Sequence, residues 1–374
     1  MKIMMIDQIA KVNYKYSFSL AEAIKEHGNE VTLIIDQKKE REKCTCELKN
    51  LFITDEKGIG KIKKLINYIT SYKTIVKALR NDQYDVVHTQ WLIFSPVDYY
   101  YIRKIKKLGI KLVVTIHDIL PFNQKFYDFR YHKKIYELAD NIIVQADNNI
   151  KRFDELFPEM AGKETMIPHG HFLDYADRIS CNEARKHLNI QTNKIVLLFF
   201  GQIKKVKGVG DLLNAFLKVY KKNPDILLII AGSVWKDDFS SYQEIIDSNP
   251  DMRNQIKTDI RYIPDEEVKY YYSAADCCIL PYKDVYQSGV IQLAYAYGKP
   301  VIATSIGAFK EVVIDNKTGF LCEPNNPDDL AKTIERAITN QDRFTEMGIL
   351  GTDVIKNKYS WQKIAESVIE VYRN

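Results

Sequence analysis

Short apolar runs alternate with longer amphipathic stretches along the whole chain, a pattern typical of α/β proteins. Apolar runs at 2–7 and 30–35 predict two buried strands, and the stretch 17–27 between them predicts a helix that ends at Gly28. A strand–helix–strand unit of this length implies neighbouring parallel strands. The same alternation continues in later strands, which we predict at 48–53, 84–88, 111–117 and 141–145, and residues 165–168 close the first domain.

The alternation starts afresh after residue 192, which indicates a second domain of the same kind. Its predicted strands lie at 195–200, 226–231, 259–263, 276–280 and 301–304. We therefore expect an α/β fold with two Rossmann-like domains facing a central cleft. The expected order is a first domain over 1–168, a linker over 169–192, a second domain over 193–358 and a C-terminal helix over 359–374 that packs back on the first domain.

Length and composition agree with two globular domains. The chain has 374 residues, of which 46% are hydrophobic and 28% are charged. It holds no run of about 18 apolar residues and no signal-peptide pattern at its start, so we expect a cytoplasmic protein. The six cysteines, which include the C-x-C pair Cys44 and Cys46, have neither zinc spacing nor the density of a disulfide scaffold.

Positive charge is concentrated in the first half of the chain. Residues 57–111 contain 12 lysines and arginines and only three carboxylates, at Asp82, Asp85 and Asp98. Within this segment, 59–79 predicts an amphipathic helix with a lysine-rich face. That helix is either a core-facing helix with a solvated face or a membrane-surface helix attracted to anionic lipid, and both readings stay open. No nucleic-acid motif is present, so we expect no nucleic-acid partner.

Two loops of the second domain have the composition of an anion site. The first loop, 201–208, follows a predicted strand directly and carries Lys207 just before a glycine and a helix. The second loop, around Ser288 and Gly289, leads into a predicted helix over 290–297. Backbone N–H groups at a helix N-terminus attract anions, and a nearby lysine strengthens that attraction.

Histidines follow the predicted strands at two places in the first half. His117 and Asp118 come at the C-terminal end of the strand at 111–117, where α/β sheets bind ligands. His169 and His171 lie in a turn at the domain junction, but no third metal ligand stands at useful spacing. The turn after the first strand has no G-x-G-x-x-G motif, which argues against a nicotinamide dehydrogenase.

Several sequence blocks, in this order, resemble glycosyltransferase family 4, which has the GT-B fold. The resemblance covers nearly the whole chain and is strongest over 195–361. It is carried by the blocks FGQIKKVKG, IIAGS, YIPDEEVKYYYSAADCCILP, GVIQLAYAYGKPVIATSIGAFKEVV, NKTGFL and YSW.

The resemblance implies roles for individual residues in donor binding. Lys207 matches the family lysine that clamps the donor diphosphate, whereas Gln202 stands where the family has a basic residue, and Lys204 or Lys205 could supply the missing charge. Ser288, Gly289 and Val290 match the loop whose amides hold the diphosphate. His117, followed by Asp118, matches a histidine near the donor sugar, and this pair is our catalytic candidate.

One family feature is missing. The family usually has two glutamates eight residues apart, for the donor sugar and the ribose, and this chain has Val285 and Leu293 at those positions. Asp284 and Gln292 are the polar residues one position away, and we take them as candidate sugar and ribose ligands.

The resemblance implies a retaining, metal-independent hexosyltransferase without a cofactor. Its substrates would be a nucleotide sugar and a glycan or lipid-linked acceptor in cell-surface polysaccharide assembly, and residues 57–111 are a candidate contact with an anionic membrane. Because both glutamates are missing, a non-catalytic nucleotide-sugar-binding or scaffold protein is one alternative. A sugar-nucleotide epimerase of the same fold is another.

Overall fold

A computed structural model of the chain describes residues 1–36, 44–53, 59–121, 124–285 and 289–374. The chain divides into two compact units. Unit 1 consists of Met1–Gly170 together with Tyr359–Asn374, and unit 2 consists of His171–Lys358. The segment expected to be a linker, 169–192, differs from that expectation, because it belongs to unit 2 from His171 onward and contains a helix.

Unit 1 is built on a parallel sheet of seven strands in the order β3-β2-β1-β4-β5-β6-β7. The strands are β1 (Lys2–Ile6), β2 (Glu30–Ile35), β3 (Glu47–Asn50), β4 (Val86–Thr89), β5 (Lys111–Ile116), β6 (Asn141–Val144) and β7 (Glu164–Met166). The helices are α1 (Ala10–Glu26), α2 (Lys61–Asn81), α3 (Ser95–Lys106), α4 (Asp128–Leu138), α5 (Asp147–Leu156) and, from the end of the chain, α15 (Trp361–Arg373). In the register of the central strands, Ile3 of β1 lies opposite Val31 of β2 and Val86 of β4.

Helix α1 begins seven residues earlier than the sequence predicted. Ala10, Tyr14 and Phe18 recur every four residues and are all buried, so the helical stripe starts before Ser17. The turn after β1 is therefore short, and most of 7–16 is helix.

Unit 2 is built on a parallel sheet of six strands in the order β10-β9-β8-β11-β12-β13. The strands are β8 (Ile195–Phe200), β9 (Ile226–Ala231), β10 (Ile256–Asp259), β11 (Cys277–Leu280), β12 (Val301–Thr304) and β13 (Gly319–Cys322). The helices are α6 (Cys181–His187), α7 (Val209–Val219), α8 (Ser240–Asp247), α9 (Pro250–Arg253), α10 (Asp265–Ala274), α11 (Gly289–Ala296), α12 (Gly307–Val312), α13 (Pro327–Thr339) and α14 (Phe344–Lys358).

Strand β10 was predicted at 259–263 and lies at Ile256–Asp259. It is an edge strand paired only with β9, and its residues are half-buried or exposed, so it lacks the apolar run that marks the central strands. Ile195 to Phe200 of β8, by contrast, is apolar throughout because both of its faces are covered.

In each sheet the strand order reverses direction next to the first strand of that unit. The reversal falls between β1 and β4 in unit 1, and between β8 and β11 in unit 2. Ligands of doubly wound α/β sheets bind beyond the C-terminal ends of the strands at such a reversal. Across the described residues, no helix combines the length and the apolar character that crossing a bilayer requires.

Candidate functional site

Lys207 lies at the strand-order reversal of unit 2, in the loop between β8 and α7. Its ammonium is 3.6 Å from the ring centroid of Tyr282, which follows β11. No carboxylate of the described residues forms a salt bridge with this half-buried ammonium. Burial first, and the positive charge of Lys204 second, lower the pKa of Lys207 to about 8. The site thus holds a poorly solvated cation suited to a bound anion.

The loops after β8 and β11 are in direct contact, and Gly208 makes this approach possible. Its φ is +71°, and a Cβ at this position would lie 1.9 Å from the carbonyl oxygen of Pro281. The backbone N–H of Lys283 also donates to the carbonyl of Val206 at 2.8 Å. These contacts hold Lys207 against Tyr282.

The start of helix α11 lies beside the same loops. Ser288 falls outside the described residues, whereas Gly289 is exposed and is the first residue of the helix. The side chain of Val290 comes within 3.4 Å of the position a Cβ on Gly201 would occupy. The N-terminus of α11 is therefore close to the loop that carries Lys207, and the first N–H groups of a helix are a site that attracts anions.

The candidate sugar and ribose ligands have different surroundings. Asp284 is exposed, while Gln292 is only 6% exposed on α11. Within the part of the chain that is described, the Oε1 atom of Gln292 is buried without a hydrogen-bond partner. Val285 is buried and Leu293 is half-buried. Both side chains are apolar, so neither can replace the carboxylates that the family has at these positions. Gln202 is exposed at the start of the loop after β8.

In unit 1, His117 lies just beyond β5 in a cluster of aromatic and amide side chains. Its ring stacks on Trp91 with centroids 4.6 Å apart, and Tyr16 meets it edge-on at 5.0 Å. Its Nε2 is 3.2 Å from Oε1 of Gln90 and 3.5 Å from Nδ2 of Asn13. These contacts orient the imidazole at the C-terminal edge of the sheet, where the sequence placed it.

Burial keeps the histidines of this edge neutral. It lowers the pKa of His117 to about 3, with a smaller contribution from His169, and it lowers the pKa of His169 to about 4. His117 is therefore a hydrogen-bonding group rather than a cation at physiological pH. Asp118 follows it, half-buried, and its charge raises the pKa of the buried Tyr136 beyond the rise that burial causes.

Asp7 belongs to the same edge, although it was not among the residues predicted from the sequence. It is fully buried after β1, accepts hydrogen bonds from the Ser17 hydroxyl and the Ile9 amide, and lies 3.5 Å from Nδ2 of Asn13. Burial raises its pKa to about 7. Asn13 thus links this carboxyl to His117. The sequence signal that would have identified it is an aspartate directly after the first strand, at the edge where α/β sheets bind ligands.

Among the described residues, one group of side chains is close enough to share a metal ion: Glu22 with Cys44 and Cys46 in unit 1. The Glu22 carboxylate already accepts hydrogen bonds from the hydroxyl of Thr45 and the amide of Cys46. This arrangement fixes the segment before β3 to α1. The C-x-C pair alone did not reveal this clustering, because Glu22 is distant in sequence.

Two family models match the chain. The model of glycosyltransferase family 4 matches residues 15–174, and the model described as glycosyl transferases group 1 matches residues 181–361. The two matches leave only short segments at the ends and between them uncovered.

Curated relatives include several glycosyltransferases. A lipopolysaccharide 1,2-N-acetylglucosaminetransferase of Salmonella typhimurium is 28% identical over 284 residues, which are 70% of this chain and 72% of that protein. A D-inositol 3-phosphate glycosyltransferase of Corynebacterium urealyticum is 24% identical over 310 residues, 78% of this chain and 72% of that protein. Spore coat protein SA of Bacillus subtilis is 26% identical over 196 residues, and this match spans about half of each chain (51%).

Solved structures share the fold over the whole chain. HepE of Anabaena, in complex with UDP, is 17% identical with a TM-score of 0.74, and the match covers 99% of each chain. A sucrose-phosphate synthase of Thermosynechococcus elongatus is 20% identical with a TM-score of 0.71, covering 100% of this chain and 98% of the other. Together with the two parallel sheets, these likenesses confirm the predicted GT-B fold with two Rossmann-like domains.

Proposed function

Because the chain belongs to glycosyltransferase family 4, we propose that it is a retaining hexosyltransferase acting in cell-surface polysaccharide assembly. Its donor is a nucleoside-diphosphate sugar and its acceptor is a glycan or a lipid-linked glycan. The observation that carries this proposal is the half-buried ammonium of Lys207 at the strand-order reversal of unit 2, in a loop whose first residue, Gly201, lies next to Val290 at the start of α11. Relatives named for lipopolysaccharide and inositol glycosylation, and a fold neighbour that binds UDP, support the donor and acceptor classes.

The chemistry follows from where charge develops. When the bond between sugar and diphosphate breaks, negative charge grows on the leaving diphosphate. Lys207 and the N–H groups of Gly289 and Val290 would stabilise that charge as fixed donors, which makes a metal ion unnecessary. In the retaining reaction the acceptor attacks the same face of the sugar that the diphosphate leaves, and the diphosphate takes up the acceptor proton.

The remaining candidates would act on the sugar and the ribose. His117 is neutral, so it would donate or accept one hydrogen bond with a sugar hydroxyl. Asp118, the next residue, is the second catalytic candidate. Gln292, whose buried Oε1 has no partner among the described residues, is the candidate for the ribose, and Asp284 is the candidate for the sugar. No cofactor enters this scheme.

We place the enzyme in the cytoplasm, at the inner face of a membrane that carries its acceptor. The support is the cationic segment 57–111, whose charge complements an anionic lipid surface.

The direct test is release of nucleoside diphosphate from a panel of UDP, GDP and ADP sugars, with membrane extract as the acceptor source. Lys207→Ala should lower kcat/KM by a factor of about 10²–10³, because it removes one charge-stabilising donor. Lys332→Ala, an exposed lysine on α13, is the matched control and should leave the rate unchanged. Chelator should not change the rate, and the product anomer should have the donor's configuration.

Two outcomes would reject this function. Binding of nucleotide sugar without release of diphosphate from any donor would favour the scaffold alternative. Isomerisation of the donor in the absence of acceptor would favour the epimerase. A rate for Lys207→Ala within about threefold of the unmodified chain would contradict the role of Lys207, since one donor contributes far more than this.

A further inference from the structure

The donor-diphosphate site has one cation fewer than the family resemblance implies. Lys207 is present, but the basic residue expected at the start of the loop is the neutral and exposed Gln202. A leaving diphosphate carries more than one negative charge, so a second positive group at this site would stabilise it further.

We propose that Lys204, held over the indole ring of Trp235, supplies this second positive charge to the donor diphosphate. The inference rests on the proposed function and adds a residue to its binding site. Trp235 would be a positioning residue, because it would affect the diphosphate only by holding Lys204.

The first support is the geometry of Lys204. Its ammonium is 4.2 Å from the ring centroid of Trp235, a cation–π distance. A lysine on a surface loop ordinarily samples many rotamers, and contact with an aromatic face restricts it. Lys204 is half-buried in this arrangement, whereas its neighbour Lys205 is exposed.

The second support is the way Trp235 itself is held. The loop after β9, which carries Trp235, pairs with the loop after β8 through two backbone hydrogen bonds. Ile203 N donates to Ser233 O at 2.9 Å, and Trp235 N donates to Ile203 O at 3.0 Å. Lys204 and the indole ring therefore come from two loops that are fixed to each other directly beside the lysine.

The third support is electrostatic. Lys204 lies close enough to Lys207 for its charge to lower the pKa of that lysine, in addition to the larger effect of burial. Two ammonium groups that repel each other would both be stabilised by one diphosphate. Binding of the anion should therefore return the pKa of Lys207 towards its ordinary value.

A second lysine lies over the indole ring of Trp235. Lys236 has its ammonium 4.6 Å from the ring centroid of Trp235, and its backbone has a φ of +51°, which is uncommon for a residue with a side chain. Residues 204, 207, 235 and 236 thus form a cationic patch with an aromatic floor at the C-terminal edge of the unit 2 sheet.

The test compares the binding of UDP and GDP to the full chain and to variants by calorimetry. Lys204→Met keeps most of the aliphatic stem and removes the charge, and it should weaken the binding of the preferred nucleotide by about tenfold or more. Adding Gln202→Arg to Lys204→Met should recover most of this loss, because the arginine restores the charge at the position the family uses. Lys332→Met, at an exposed site on α13, should change the dissociation constant less than twofold.

A second experiment measures how many protons the chain takes up when it binds the nucleotide. At pH 8 the unmodified chain should take up a fraction of a proton on binding nucleoside diphosphate, seen as a dependence of the binding enthalpy on the buffer. This uptake should be smaller in Lys204→Met, because Lys207 then starts from a higher pKa.

The outcomes separate this inference from the proposed function. If the unmodified chain binds no nucleoside diphosphate, both fail. If it binds, and Lys204→Met binds within twofold of it, the role of Lys204 alone is overturned. A Lys204→Met chain that has merely lost its fold would show a lowered melting temperature and no rescue by Gln202→Arg, and that absence of rescue would also count against the inference.

Discussion

At the residue scale, burial sets the protonation of the groups at the edge of the unit 1 sheet. His88 has no exposed surface, and its two nitrogens lie 2.6 Å from the Tyr372 hydroxyl and 2.7 Å from the Thr115 hydroxyl. Burial lowers its pKa to about 3, so the neutral ring donates through one nitrogen and accepts through the other. Asp7 shows the opposite sign, since burial raises the pKa of a carboxyl.

Asp7 gives a prediction for the pH dependence of stability. Its pKa is about 7 in the folded chain and near 4 when unfolded, so between these values the folded state holds a proton that the unfolded state has lost. Its contribution is fully present below pH 4 and is lost as the pH rises through 7. Between pH 5 and 8 this should lower the free energy of unfolding by about 2–3 kcal/mol.

Asp7→Asn should remove that contribution. Urea unfolding at several pH values should show the variant gaining stability relative to the unmodified chain as the pH rises from 5 to 8. Asp82→Asn is the control, because the exposed Asp82 pairs with Lys2 and that pairing lowers its pKa, so it is ionised throughout this range. An unfolding difference for Asp7→Asn that stays constant with pH would show that Asp7 does not titrate there.

The sequence identified the site residues that follow apolar strands and missed those that depend on distant contacts. Lys207 and His117 were singled out because each comes just after a strand of its unit, and that placement follows from the order of elements alone. Trp235 and Asn13 gave no such signal. Trp235 matters because it contacts Lys204, and Asn13 matters because it contacts His117. Local sequence does not encode which distant segments meet.

At the element scale, long apolar runs predicted the central strands and failed at short or half-exposed elements. β8 and β9 have the predicted bounds, because both faces of each strand are buried and the run is continuous. Helices α4, α6, α9 and α12 were not predicted. α6 has seven residues and α12 has six, too few turns to show a helical period.

The two halves of helix α2 have different surroundings. Its C-terminal half packs into the core through Tyr72, Ile75 and Leu79. Its N-terminal half leaves Ile62 76% exposed and Ile66 59% exposed, among the lysines of 61–77. Exposed isoleucines beside lysines are the arrangement of a helix that enters an anionic lipid interface.

This helix should bind anionic membranes. The full chain should sediment with vesicles rich in anionic phospholipid at low salt and not with uncharged ones. Replacing Lys61, Lys64 and Lys73 by serine should weaken this binding at least tenfold, since each lysine near the surface contributes about 1 kcal/mol. Ile62→Ser with Ile66→Ser should also weaken it.

The control for apolar exposure is Ile349→Ser on α14, where the isoleucine is 58% exposed. It should leave vesicle binding unchanged. Failure of the unmodified chain to bind anionic vesicles even at low salt would mean that the exposed face of α2 is only solvated.

At the scale of the whole molecule, each unit has its own sheet, but only unit 2 is continuous in sequence. Unit 1 is completed by the last residues of the chain. Helix α15 packs against α1 and buries seven of its side chains. These are Trp361, Ile364, Ala365, Val368, Ile369, Val371 and Tyr372.

Helix α15 also holds polar and backbone groups of unit 1 in place. Tyr372 contacts the buried His88, which would otherwise lose a hydrogen-bond partner in the core. Trp361 lies directly against the backbone of Gly170, where a Cβ would come within 2.3 Å of the indole. Each large buried side chain contributes about 1.5–3 kcal/mol before the entropy of ordering the helix is subtracted. Domains are stable by only about 5–15 kcal/mol, so loss of the helix should remove a large part of the stability of unit 1.

Residues 171–358 should therefore fold alone, whereas residues 1–170 should not. Thermal melting followed by circular dichroism should show a cooperative transition for the fragment 171–358 and a broad, non-cooperative transition for the fragment 1–170. Joining residues 359–374 to residue 170 through a flexible linker should restore cooperative unfolding, and Trp361→Ala in that fusion should lower its melting temperature. If the fragment 1–170 melted cooperatively at the temperature of the fusion, the last helix would be an accessory to unit 1 and not part of its core.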